Sequence, residues 1–257
     1  QQGDSWYRVS VQRTYLKDGD GTATELQRTS EKLGLGSDRE VSITKSDGEI
    51  LTITETIDRA AKTVTRTTQS NRSDTAAVSI TVNGLLVSQS TMTVAKATLY
   101  RYDDLRRLRE IVDPRTDAST TRSYNTANQV ESIENAEGNS RSFGYYPPDH
   151  ANAGQLHWEE NELDRRTYYA YNSLGQRTHQ WGLASYPLRY VYGDDGQMTE
   201  LHTYRESDPL DFVGESIPGA FETTSYQKTE WVYFPGTNLL QQKRYPDGKG
   251  PSYTYYD

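Results

Sequence analysis

The sequence contains no cysteine, which excludes disulfide bonds, thiolate metal ligands and cysteine nucleophiles. No apolar run approaches the roughly 20 residues that a membrane-spanning helix needs. Basic residues are not clustered, and 28 Lys and Arg against 36 Asp and Glu give a net charge of −8. Because nucleic acids and anionic membranes bind through clustered Lys and Arg, the sequence predicts neither as a partner, and it predicts no membrane span.

Patterns typical of catalysis are also missing. The four histidines form no HxH or HExxH pair and are predicted to be plain surface residues; they are His150, His157, His179 and His202. Adjacent carboxylates are predicted to point to opposite faces of a strand or to lie in solvated turns; they are Asp103-Asp104, Glu159-Glu160 and Asp194-Asp195. We therefore predict no catalytic residue, no cofactor and no metal site. The stretch "DGDGT" at residues 18–22 fits a hairpin loop better than a calcium loop, because the glutamate of a calcium loop has no counterpart.

The first 99 residues read as short strands. Apolar residues alternate with polar ones in "ILTITETI" and "AVSITV", the pattern of a half-buried strand. Asp47-Gly48 and Asn83-Gly84 are strong two-residue hairpin signals. We interpret residues 1–99 as a β-rich lead-in region of diverged repeats.

From residue 100 onward, tyrosine-rich phrases recur in a chain that has 20 Tyr and only 4 Phe. The motif consists of two aromatic residues separated by one residue of any type. In several copies Asp, Asn or Gly follows the second aromatic residue. The repeat aromatics are Tyr100, Tyr102, Tyr124, Phe143, Tyr145, Tyr169, Tyr171, Tyr190, Tyr192, Trp231, Tyr233, Tyr253 and Tyr255. The second tyrosines are separated by 22, 21, 26, 21, 41 and 22 residues. The long step predicts an insert loop near residues 206–222, within a repeat array at 100–257.

Each repeat contains two turns and leaves two strands of ordinary length. "DDLRRLREIVD" alone could form a short helix, but its counterparts lack that spacing. The fold class is therefore predicted to be all-β, a continuous antiparallel meander of β-hairpins. Aromatics at positions i and i+2 share a face of a strand, so we predict a structural ladder of cross-strand aromatic pairs. Glycines such as Gly175 and Gly196 are predicted to close turns in the left-handed conformation.

The phrases "YRYDDLRRLREIVDP" and "YAYNSLGQRT" resemble the YD repeats of the RHS family, which includes RHS toxins, shell subunits of Tc toxins and teneurins. The family pattern is roughly Tyr-x-Tyr-Asp-x-x-Gly-Arg-Leu, and this chain departs from it with Arg106 and Asn172. The resemblance covers residues 100–257. Asp113-Pro114 and Asp208-Pro209 lack the Gly-Arg-Phe that accompanies the family's autoproteolytic segment, so both are interpreted as turns.

The resemblance implies an open segment of a larger curved β-shell that encloses or displays a C-terminal effector. The chain ends on "YTYYD", which looks like the start of another repeat, so its partners are expected to be further repeats and a C-terminal passenger of the same polypeptide. A secreted or cell-surface location is expected. The alternative is an adhesin that binds glycans through exposed Tyr and Trp, including Trp158, Trp181 and Trp231. A carbohydrate-active enzyme is the weakest candidate, and we expect no enzymatic activity.

Overall fold

The structure is a computed structural model that describes residues 7–17, 23–34, 39–94 and 96–255. Within these ranges it is all-β apart from two single-turn helices. The strands are β1 (Tyr7–Lys17), β2 (Ala23–Gly34), β3 (Arg39–Lys45), β4 (Ile50–Asp58), β5 (Thr63–Ser70), β6 (Ala77–Val82), β7 (Leu85–Gln89), β8 (Thr98–Tyr102), β9 (Leu108–Val112), β10 (Ser119–Tyr124), β11 (Val130–Glu134), β12 (Ser140–Tyr145), β13 (Leu156–Glu160), β14 (Arg166–Tyr171), β15 (Arg177–Trp181), β16 (Leu188–Tyr192), β17 (Met198–Thr203), β18 (Gln227–Tyr233) and β19 (Leu240–Arg244). A 3-10 helix (Pro209–Phe212) and helix α1 (Ala220–Thr223) lie between β17 and β18.

The chain divides into two compact units: residues 1–122 with 135–137, and residues 123–134 with 138–257. The domain boundary that we propose at 99/100 stays a prediction. The loop at residues 18–22, which we interpret as a hairpin turn, lies outside the described residues.

In the first unit the strands pair antiparallel in sequence order, from the pair β1–β2 to the pair β9–β10. The predicted Asn-Gly hairpin joins β6 to β7, with φ of 52° at Asn83 and 78° at Gly84, as a type I′ turn requires. Most side chains of β3 to β7 are half-buried. The segment that could alone have been a helix instead forms the turn after β8 and then β9.

In the second unit β11 to β19 also pair antiparallel in sequence order. The all-β hairpin meander that the sequence predicts is therefore confirmed. The buried core of this unit joins side chains of β14, β15 and the β17–β18 connection; it consists of Tyr168, Ala170, Trp181, Tyr204, Phe212 and Phe221. The connection is thus packed onto the sheet and contributes half of that core. No helix in the described ranges is long and apolar enough to span a bilayer.

Candidate functional site

Six of the second tyrosines of the repeats bind the preceding hairpin through their hydroxyl groups. Tyr171, for example, lies at the end of β14 and donates a hydrogen bond to the carbonyl of Leu156, the first residue of β13, at 2.9 Å. The equivalent bonds run from Tyr102 to Leu86 at 2.8 Å, Tyr145 to Val130 at 2.8 Å, Tyr192 to Arg177 at 2.8 Å, Tyr233 to Met198 at 3.0 Å and Tyr255 to Leu240 at 3.0 Å. The sequence reasoning missed these bonds, which give six hairpins the same attachment to the preceding hairpin.

A β-bulge accompanies this bond. Ala170 pairs with His179 while Tyr171 pairs with Arg177, so Thr178 is the extra residue on β15. The same register shift precedes the second tyrosine at Arg101/Tyr102, Gly144/Tyr145, Val191/Tyr192 and Val232/Tyr233. A bulge locally increases strand twist and changes where a side chain points. Because the bulge recurs before five of the second tyrosines, it is a regular feature of the repeat unit.

The residue after the second tyrosine organises the turn. The Asn172 side-chain oxygen accepts hydrogen bonds from the backbone N–H groups of Leu174 at 3.0 Å and Gln176 at 2.9 Å. Gly175 then takes φ of 77°, and Gly196 takes 80° in the next repeat, which confirms their predicted conformation. Other repeats place a non-glycine residue there at positive φ; these are Arg106 and Asn128. Arg106 also donates to the carbonyl of Asn83 at 2.7 Å, a contact that glycine cannot make.

A glutamine four residues after the turn-forming Asx or Gly binds the following hairpin. Gln176 donates through Nε2 to the carbonyl of Gly196 at 2.7 Å. The Gln129 amide donates to Gly154 at 2.6 Å, and the Gln197 amide donates to Thr237 at 3.0 Å. The recurrence of Gln is visible in the sequence, but its role is not. The tyrosine hydroxyl thus bonds to the preceding hairpin in sequence, and the glutamine amide bonds to the following one.

The first aromatic of each repeat has different contacts. Tyr169 is buried, its hydroxyl donates to the Glu159 carboxylate at 2.6 Å, and the Arg177 guanidinium lies 4.2 Å from its ring centre. Burial, followed by the hydrogen bond to Glu159, raises the pKa of Tyr169 well above its ordinary value. Cations also lie over Phe143 (Arg141, 6.0 Å) and over Trp231 (Lys243, 5.1 Å). Tyr100 and Tyr190 are half-buried, whereas Tyr253 is exposed; the second tyrosine Tyr124 is half-buried as well.

Ring contacts of the second tyrosines go to neighbouring aromatics outside the repeat positions. Tyr171 meets Tyr146 at 6.3 Å between ring centres, and Tyr255 meets Phe234 at 6.1 Å. The aromatic ladder stays a prediction. The bonds of the hydroxyl groups supply a structural role for these tyrosines that does not depend on the ladder.

Residues 204–226, here called the covering segment, pack against β14, β15 and β17. Trp181 is fully buried, and its indole N–H donates to the carbonyl of Gly214 at 2.8 Å. The Tyr204 hydroxyl donates to the carbonyl of Phe221 at 2.9 Å. Phe212 and Phe221 meet edge-to-face at 4.9 Å. The bond from Trp181 joins the covering segment to the sheet, and the other two contacts hold the segment together.

The prediction that the four histidines are plain surface residues is wrong for His202, which is 5% exposed. Its ring stacks on Tyr226 at 4.0 Å, and its Nε2 lies 2.7 Å from the Glu200 carboxylate. The hydrogen bond with His202, together with Lys228 at 3.2 Å, lowers the pKa of Glu200. The covering segment buries this histidine, and sequence periodicity alone does not place that segment. His150 is exposed.

Trp158 and Trp181 offer little open ring surface for stacking on sugars. Trp181 is fully buried. One face of Trp158 packs on Gly144 so closely that a side-chain carbon there would clash with the indole, and the Arg166 guanidinium lies 4.2 Å from its ring centre. The contacts of these two residues therefore support structural roles.

A cleft with a volume of about 930 Å³ lies in the second unit. Its lining includes Ser123, Ser132 and Ser142 on successive strands, together with Tyr146 and Pro147. The Tyr146 ring lies between His150 at 4.2 Å and His157 at 4.3 Å, so both of its faces are occupied. Among the described residues, no group of three or more His, Asp or Glu is arranged to hold a metal ion.

Solved structures of Tc toxin assemblies have a similar fold. The chain matches "Crystal Structure of TcdB2-TccC3-Cdc42" with a TM-score of 0.52 and 14% identity over 95% of its length, and "Crystal Structure of TcdB2-TccC3-TEV" with a TM-score of 0.56 and 13% identity over 87%. It also matches the Photorhabdus luminescens Tc holotoxin pore, mutation TccC3-D651A, with a TM-score of 0.52 and 12% identity over 91%. It spans only 12–14% of the length of these chains. No family model and no curated protein matches the sequence. The likeness supports an RHS-like β-shell fold.

Proposed function

We propose that this chain is a wall segment of a larger RHS-repeat protein, which encloses or displays a C-terminal effector and acts outside the cell or at its surface. The observation that carries the proposal is the repeated bond from a tyrosine hydroxyl to the preceding hairpin. A contact that recurs once per hairpin stabilises an array of any length, because each unit needs only its neighbours.

Side-chain burial is consistent with a wall. Strands β11, β13 and β16 are partly buried along most of their length, on both faces. A thin wall needs such strands, since neither face is sealed in a thick core. The fold likeness to TcdB2-TccC3 assemblies supports the same proposal, which assigns no catalysis to this segment.

Electron microscopy of the full-length parent chain tests this function. A closed hollow particle with internal density is the expected result, because a wall segment implies a container and a passenger. An open rod or a flat sheet would contradict encapsulation. Deleting only the C-terminal effector, with all further repeats kept, should empty the particle and leave its wall intact.

A glycan-binding adhesin is the second candidate, and exposed tyrosines favour it. Tyr186 is 67% exposed, and Tyr245 and Tyr253 are also exposed. Tyrosine rings combine an apolar face with a polar hydroxyl, which suits contact with sugars. A glycan array probed with the 257-residue chain tests this candidate, with a variant carrying Tyr186→Ala, Tyr245→Ala and Tyr253→Ala as its control. Binding that the triple variant loses would favour the adhesin over the wall.

A further inference from the structure

The covering segment contacts three of the chain's four histidines, each on a different strand. The Nε2 atom of His157 on β13 lies 3.3 Å from the carbonyl oxygen of Glu215. His179 on β15 meets Phe221 of α1 edge-to-face at 4.8 Å, and His202 on β17 stacks on Tyr226 at 4.0 Å. Histidine is the side chain whose charge ordinarily changes between pH 5 and 8. Three side chains that can change charge in this range therefore lie at the contact between the covering segment and the sheet.

His179 lies where a positive charge is least favourable. It pairs across the sheet with Ala170 on β14 and with Arg189 on β16, and Phe221 covers its ring. The Arg189 guanidinium donates to the Glu222 carboxylate of α1 at 2.9 Å. A protonated His179 would share the single nearby carboxylate with an arginine that already uses it.

Other ionisable groups around His179 do not provide a second counter-charge. Arg189 and Glu222 are the charged groups that act on His179, and only Glu222 is acidic. His202 differs, because its Nε2 lies 2.7 Å from the Glu200 carboxylate, which also binds Lys228. His179 is therefore the histidine whose protonation opposes docking.

We propose that the covering segment is an acid-released flap, in which protonation of His179 drives residues 204–226 off the sheet and exposes the aromatic core beneath them. The hydrogen bond from Trp181 on β15 to Gly214 of this segment and the shared aromatic core hold the flap closed near neutral pH. Release leaves the hairpin meander paired, since the hydrogen bonds that join β14 to β17 do not involve the segment.

The pH range follows from the proton affinity of His179 in the two states. Burial, followed by the charge of Arg189, lowers the pKa of His179 to about 4, and Glu222 opposes that shift. In the released state the ordinary pKa of about 6.5 applies. The released state therefore binds the proton more tightly, so docking is strongest above pH 6.5 and weakens as the pH falls toward 4. Allowing for partial solvent screening, we expect the docking equilibrium to change by about 100-fold.

A cysteine probe tests the flap, because the chain has no other cysteine. Ala220→Cys places a thiol on α1 against the core, and Ile217→Cys places one at an exposed position of the same segment. 4,4′-Dithiodipyridine reacts with both thiols across the acidic range. The ratio of the Ala220→Cys rate to the Ile217→Cys rate cancels the pH dependence of the reaction itself. We expect this ratio to rise by about 100-fold between pH 7 and 4.

His179→Gln should abolish most of that rise, while His150→Gln, which changes an exposed histidine outside the flap contacts, should leave it unchanged. Glu222→Gln removes the Arg189 anchor and the carboxylate that favours a closed, protonated His179, so it should raise the ratio at neutral pH and enlarge its rise toward pH 4. The proposal is overturned by a flat ratio, by the same rise in His179→Gln, or by a rise that coincides with loss of the far-ultraviolet strand signal. If His179→Gln does not fold, an unchanged transition in Glu222→Gln overturns it.

Discussion

Replacing Tyr171 with phenylalanine separates two explanations of the repeat tyrosines. In a ladder of stacked rings the aromatic ring carries the stabilisation, and removing the hydroxyl is close to neutral. In the structure the hydroxyl donates to the carbonyl of Leu156 at 2.9 Å and connects two hairpins. Tyr171→Phe removes that bond and keeps the ring. A loss of stability would therefore be assigned to the hydroxyl group.

The size of the effect follows from the partial burial of this bond. A protein hydrogen bond contributes about 1 kcal/mol net, because the unfolded chain bonds water instead. We therefore expect Tyr171→Phe to lower the free energy of unfolding by about 1 kcal/mol, or the Tm by about 2–4 °C for a domain of this size. Tyr171→Ala also removes a half-buried ring, and we expect it to cost about 2–3 kcal/mol. Tyr192→Phe should match Tyr171→Phe, since its bond to Arg177 has the same geometry.

Urea unfolding followed by circular dichroism measures both quantities, with Tyr186→Phe as the control at a tyrosine that is 67% exposed. The control should be neutral. If Tyr171→Phe and Tyr192→Phe both unfold at the wild-type midpoint while Tyr171→Ala is destabilised, the ladder is the better explanation and the reasoning from hydroxyl bonds is refuted.

Three other substitutions test separate contacts. Gln176→Ala removes the amide bond to Gly196 and should cost about 1 kcal/mol in urea unfolding. Trp181→Ala leaves a cavity beneath the covering segment and should cost about 3–5 kcal/mol, measured in the same way. Burial and Glu159 raise the pKa of Tyr169, so the unfolded chain loses this proton first. Stability should therefore fall as the pH rises above about 10, and Tyr169→Phe should weaken that dependence in thermal unfolding at pH 9 to 11.

Each of these substitutions has a control of the same chemistry. Gln241→Ala changes an exposed glutamine, Trp231→Ala a half-buried tryptophan, and Tyr253→Phe an exposed tyrosine. Equal effects at the test and control positions would show that residue type, and not the contact, sets the stability. For Tyr169, an alkaline loss of stability that is unchanged in the phenylalanine variant would contradict the assigned cause.

The turns and hairpins could be predicted because their chemistry is local. Asn83-Gly84 and Gly175 specify backbone conformation within a few residues, and the structure has them as predicted. The bond from Tyr171 to Leu156 could not be predicted, because it depends on the bulge that sets which residues lie opposite each other. A shift of register by one residue reverses every side chain of a strand, and the sequence does not reveal where bulges fall.

The covering segment was visible in the sequence only as a long step between tyrosines. A further signal was available: Phe212 and Phe221, two of the chain's four phenylalanines, lie within it. Phenylalanine is rarely placed in a solvated loop. That composition could have indicated a segment packed on the sheet, and with it the burial of His202. Which strands it covers depends on tertiary contacts such as that between Trp181 and Gly214.

Two kinds of stabilisation therefore operate in the second unit. Tyrosine and glutamine bonds act between neighbouring hairpins, so their effect accumulates along the array and any single loss is modest. The covering segment acts across β14, β15 and β17 through one aromatic core, so losing it affects these strands together. A variant that damages a repeat bond should consequently weaken one junction, whereas a variant in the core should loosen several strands at once. The difference arises because a repeat bond joins two neighbouring hairpins, whereas the covering segment contacts several strands through one core.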